Sequence, residues 1–75
     1  MMHVRVKLFA TLRIGREKDK VYEIKDGAKA IDVIDMLNIN KDDVKILLIN
    51  GQDADFYEEL KDGDVVSIFP PVGGG

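Results

Sequence analysis

Ala28-Lys29-Ala30-Ile31-Asp32-Val33-Ile34-Asp35-Met36-Leu37 is the stretch that decides how this chain folds. Its apolar residues recur at helical spacing. Ala30, Ile34 and Leu37 share a face with Ile31, while Lys29, Asp32 and Asp35 fall opposite. Val33 and Met36 widen or flank the stripe. A short helix of about three turns is predicted, a usual length. Asp26 is its candidate N-cap, and Asn38-Ile39-Asn40 ends it.

Outward from that helix the period changes to two. Between Met1 and Leu12, Val4, Val6, Leu8 and Ala10 lie on one parity and His3, Arg5, Lys7 and Phe9 on the other. That is a half-buried strand, with Phe9 breaking the polar side. Lys20 to Lys25 alternates again. The polar link from Ile14 to Asp19 contains Gly15, so the two segments read as a hairpin with a loop longer than two residues. After the helix, Val44 to Ile49 is apolar except for Lys45 and reads as a buried central strand. Asn50-Gly51 is the strongest turn signal, because both residues tolerate positive φ. Gln52 to Lys61 is irregular, with Phe56, Tyr57 and Leu60 available to plug a small core. Asp62-Gly63 turns the chain into a last strand, Val65 to Phe69, which Pro70-Pro71 stops. The order of elements predicts an α+β fold, with a mixed sheet packed on one helix.

Length sets the scale of what such a fold can do. Seventy-five residues make one domain, expected over residues 1–69 with a tail at 70–75. A chain this size buries only about 60% of its unfolded surface, which leaves little stability for a deep internal cavity. Function is expected at the surface or in a complex, not in an enclosed cofactor site. The sequence has no cysteine, which excludes disulfide staples, thiolate metal sites and cysteine nucleophiles. No apolar run approaches the ~20 residues of a spanning helix, and no leader-like start is present, so the cytoplasm is the expected compartment and no membrane partner is expected. Residues 1–30 carry eight Lys/Arg and four acids, a net of +4, whereas 31–75 carry three bases and ten acids, a net of −7. The acidic second part argues against nucleic acid and suits a basic protein surface. Phosphate loops, paired histidines and metal-ligand spacings are missing from the sequence. His3 and the pairs Asp42-Asp43 and Glu58-Glu59 read as solvated surface.

The ending is unusual. Pro70-Pro71 follows a core strand directly and stiffens the chain away from the sheet. Val72 and Gly73-Gly74-Gly75 come next. Without Cβ atoms, such a terminus forms a thread no wider than backbone, able to enter a tunnel that a side chain would block. Its α-carboxylate is ionised at neutral pH.

Three segments now make a pattern: VKLFATLR at Val6 to Arg13, the turn at Asn50-Gly51, and KDGDVVSIFPPV at Lys61 to Val72 before the terminal glycines. Together they resemble the MoaD/ThiS family of small sulfur carriers, and the small subunit of molybdopterin synthase above all. The resemblance implies a ubiquitin-like β-grasp of four to five strands on one helix. It implies that Gly75, backed by Gly74, is adenylated by an ATP-using activating enzyme related to the ubiquitin activators, then converted to a thiocarboxylate. Val72 and Gly73 would thread the partner's channel, and Pro70 and Pro71 would aim them. Phe69, Phe9 and Arg13 would contact partners, with Asp62 and Asp64 as further candidate contacts. The large subunit of molybdopterin synthase, or an equivalent acceptor enzyme, would receive the sulfur. The chain would itself be a carrier, not an enzyme, and would bind no cofactor. Thiamine, cysteine or tRNA-thiolation routes and conjugation to protein lysines are the alternatives, with a plain binding module as a third class.

Overall fold

The computed structural model describes residues 1–71. Five strands form one mixed sheet: β1 (Met2–Leu8), β2 (Asp19–Ile24), β3 (Ile46–Ile49), β4 (Gln52–Asp53) and β5 (Val65–Phe69), in the order β2-β1-β5-β3-β4. One helix, α1 (Ala30–Met36), covers one face. β1 and β2 form the expected antiparallel hairpin. β5 lies in the middle, parallel to β1 and antiparallel to β3.

Alternation in β1 translates directly into packing. Met2, Val4, Val6 and Leu8 are buried, while His3 and Arg5 are exposed. They meet Ala30, Val33 and Ile34 of α1, with Val66 and Ile68 of β5 beside them. Fully burying a side chain such as Leu8, Ile34 or Ile68 is worth about 2 kcal/mol. Among the described residues no polar or charged side chain is buried.

Several boundaries differ from expectation. The first strand stops at Leu8, and Ala10–Arg13 form a 3-10 turn. Ala10 has φ 53° and is exposed, so it leaves the core parity, which Leu12 rejoins from the turn. Asp26 does not cap the helix. Lys29 occupies the N-cap, and its N–H donates to the Asp32 carboxylate at 2.8 Å. The Asp26 carboxylate instead lies 3.5 Å from the N-terminal ammonium. At the far end Asn38 takes φ 60°, and the Ile39 N–H donates to the Ile34 carbonyl at 3.0 Å, closing the helix.

The segment Val44–Ile49 is not a strand buried on both faces. β3 begins at Ile46 and sits between β5 and the short β4. Leu47 and Ile49 enter the core, but Ile46 is 43% exposed. The reason is the single helix: it covers one face of the sheet and leaves the other open. Asn50 (φ 53°) and Gly51 (φ 81°) make the expected tight turn and pair Ile49 with Gln52. In the irregular stretch that follows, Leu60 is buried and Phe56 partly so, whereas Tyr57 is 60% exposed and plugs nothing.

Candidate functional site

β5 ends at Phe69, and Pro70 follows at once. Proline cannot donate to a ladder, so pairing stops there. The Lys45 N–H still donates to the Phe69 carbonyl at 2.8 Å, and the Phe9 N–H donates to the Ile68 carbonyl at 3.2 Å. Both neighbouring strands therefore hold the root of the C-terminal segment in place. Pro70 is half-buried and Pro71 exposed. Val72, Gly73, Gly74 and Gly75, expected to thread a partner and to carry the reacting carboxyl, lie outside the described residues.

Phe9 and Phe69 are brought together. Their rings stack with centroids 4.1 Å apart and planes 8° from parallel. Both are half-buried on the face that α1 leaves open. Phe9 is not a core residue: the strand ends before it, and its ring turns to the outer side. Arg13 joins them. Its Nε donates to the Leu8 carbonyl at 2.8 Å, and its guanidinium lies 5.3 Å from the Phe9 ring centre. Lys7, Phe9, Arg13, Lys18 and Asp19 line a depression of about 220 Å³ beside this stack.

Two apolar neighbours escaped the sequence reading. Ile46 stands opposite Phe69, and Leu48 opposite Ser67. The apolar run Val44–Ile49 predicts a core place for both. The alternation of Ile46 and Leu48 against Leu47 and Ile49 was the available signal. On the other side of Pro70 and Pro71 lies a groove of about 510 Å³ that also involves Leu12, Arg16 and Ile39. Arg16, missed as a structural residue, donates to three carbonyls there: Leu37 at 3.0 Å, Asn38 at 3.0 Å and Leu12 at 3.3 Å.

Asp62 and Asp64 stand at the opposite end of β5 from the prolines. Asp62 accepts from the His3 N–H at 2.8 Å. Asp64 accepts from the Lys61 N–H at 2.8 Å and from Asn50 Nδ2 at 2.9 Å. These acids hold turns. The charged side chains beside the Phe9–Phe69 stack are mainly cationic and come from the basic first part of the chain.

The open face, the central last strand and the single helix define a ubiquitin-like β-grasp fold. The model of the ThiS family matches residues 6–75, and the chain belongs to that family. A Pyrococcus furiosus structure described as molybdopterin converting factor subunit 1 is 34% identical over 96% of this chain and 100% of its own, with a TM-score of 0.78. Small archaeal modifier protein 1 of Haloferax volcanii is 27% identical over 96% of this chain and 100% of its own, with a TM-score of 0.79. In the complex of subunits 1 and 2 of the Helicobacter pylori molybdopterin-converting factor, the matching chain is 26% identical over 99% of this one and 100% of its own, with a TM-score of 0.68.

Proposed function

We propose that this chain carries sulfur on its C-terminus for molybdopterin synthesis. The observation that carries the reading is the placement of Pro70, directly after the last ladder residue of the central strand and beside the half-buried Phe9–Phe69 stack. A terminus that starts there can enter a partner while the stack docks on the partner's surface. The Gly75 carboxylate attacks the α-phosphate of ATP in an activating enzyme, releasing pyrophosphate and forming an acyl adenylate. A sulfur nucleophile then displaces AMP, and the carboxylate becomes a thiocarboxylate. Glycine offers that attack the least steric hindrance. Gly74, Gly73 and Val72 occupy the channel, and Pro70 and Pro71 direct them. The sulfur then passes to a pterin precursor in a large subunit such as the one that accompanies the Helicobacter pylori relative. The partner's matching face is apolar with acidic groups at its rim, to meet Phe9, Phe69 and Ile46 beside Arg13, Lys7 and Lys18. The catalytic groups belong to the partners, and this chain supplies the cargo.

The likeness to small archaeal modifier protein 1 favours a second reading, in which activated Gly75 is joined to a lysine amine of another protein. One measurement separates the two. Intact mass of the chain isolated from its own cells should show replacement of one terminal oxygen by sulfur. Lysine adducts without any such replacement would favour the modifier. A chain wholly unmodified in cells that are making the cofactor would overturn both.

A further inference from the structure

We propose that the free edge of β2 pairs antiparallel with the same edge of a second copy of this chain, with Tyr22 on the two-fold axis. The described sheet has two edges. One, β4, is only two residues long, and the other, β2, has six. Long open edges are templates for pairing.

Backbone polarity shows which groups β2 offers. The Leu8 N–H donates to the Lys18 carbonyl at 2.9 Å, so even-numbered residues of β1 turn toward β2. The odd-numbered ones turn toward β5: Arg5 donates to Asp64, Phe9 donates to Ile68, and the His3 carbonyl accepts from Gly63. In this register Lys20, Tyr22 and Ile24 bond to β1. Asp19, Val21 and Glu23 therefore point their N–H and C=O groups outward. Among the described residues, no loop or side chain bonds to those groups.

Charge selects the occupant and the register. With Tyr22 opposite Tyr22, Lys25 of the second copy stands across from Asp19 and Asp26 across from Lys18, each pair occurring twice by symmetry. Val21 and Glu23 then exchange the central hydrogen bonds. Moving the axis to Val21 sets Asp19 against Glu23, and moving it to Glu23 sets that residue against itself. Of these three registers only the one centred on Tyr22 avoids like charges, so the edge is complementary to itself.

Apolar surface gathers at the same place. Val21 is 55% exposed on the edge. Beneath β2 a groove of about 310 Å³ is lined by Met1, Ile24, Ala28, Val33 and Met36, with Asp32 on its rim. Lys20 of the second copy, opposite Ile24, would lay its aliphatic stem over this groove toward Asp32. The pairing leaves the Phe9–Phe69 stack and Pro70 uncovered in both copies and does not depend on the sulfur-carrier reading.

Sedimentation of the purified full chain from micromolar to millimolar concentration tests it. A monomer–dimer equilibrium is expected, weakening as salt is raised. Val21→Pro deletes an outward N–H that no internal bond uses, so it should give a monomer with an unchanged far-ultraviolet spectrum. Lys18→Glu should weaken the dimer about tenfold, and adding Asp26→Lys to it should restore the affinity. A chain that stays monomeric to millimolar concentration would overturn the proposal. So would a dimer indifferent to both Val21→Pro and the charge reversal.

Discussion

Arg5 and Asp19 face each other on the open side of the β1–β2 hairpin, with both nitrogen–oxygen contacts at 2.7 Å. The hydrogen bond from Arg5 holds the Asp19 carboxyl below the usual carboxylate range. Desolvation opposes this, and the charges of Arg5, Lys7 and Lys18 add smaller contributions in the same direction as the hydrogen bond. The folded pKa is therefore lower than the unfolded one. Stability from this pair is complete above the unfolded pKa of ~3.9 and is lost as pH falls through the folded value. Asp19→Asn should lower the thermal midpoint slightly at neutral pH, and its deficit should vanish as acid protonates the parent. Midpoints taken in steps down to strongly acidic pH check this; a deficit that stays constant would refute it. Phe9 teaches a second lesson at this scale. Its break in the alternation was visible in the sequence, but a place in the core and a place on a docking surface fit it equally. The stacking partner decides between them, and Phe69 lies sixty residues away in the chain. No local pattern encodes a contact of that range.

Among the elements, the turn at Asn50-Gly51 was legible because both residues tolerate positive φ, but the two-residue β4 after it was hidden, since Gln52 to Lys61 reads as irregular. What the sequence hid is that Asn50 also serves β5. Its Oδ1 accepts from the Val65 N–H at 2.9 Å, and its Nδ2 donates to Asp64 at 2.9 Å. Asn50→Ala should therefore cost about 2 kcal/mol, combining the lost bonds with a left-handed backbone that alanine resists. Gly51→Ala should cost only about 1 kcal/mol, because a Cβ there meets nothing within 4 Å and only the positive φ is strained. Denaturant unfolding of both variants would test the ranking, and equal losses would show that the Asn50 bonds contribute nothing. The ends of elements were harder to read. Helix α1 begins at Ala30 because the Asp32 carboxylate, within the helix, satisfies the Lys29 N–H. Ile46 and Leu48 were misplaced because a short apolar run looks alike whether one sheet face or both are covered.

At the scale of the molecule, the order of elements and the family likeness were both readable, because period, turns and the Phe69-Pro70-Pro71 ending point to the same arrangement. The strand order was not, since nothing local says that the last strand lies between the first and the third. In the described structure the core runs from Met2 to Ile68 and includes nothing after Phe69. Removing Gly74 and Gly75 should therefore leave the unfolding midpoint unchanged within error while abolishing ATP-dependent adenylate formation. Calorimetry and pyrophosphate release provide the two readouts. A large fall in midpoint would place the terminus in the core, and undiminished pyrophosphate release would remove Gly75 from the reaction. The central position of β5 has a mechanical side as well. A machine hauling on the chain at Pro70 pulls along a strand laced to β1 on one flank and β3 on the other. The load runs lengthwise through two rows of bonds at once instead of unzipping them singly, so the protein can be gripped by its end without coming apart.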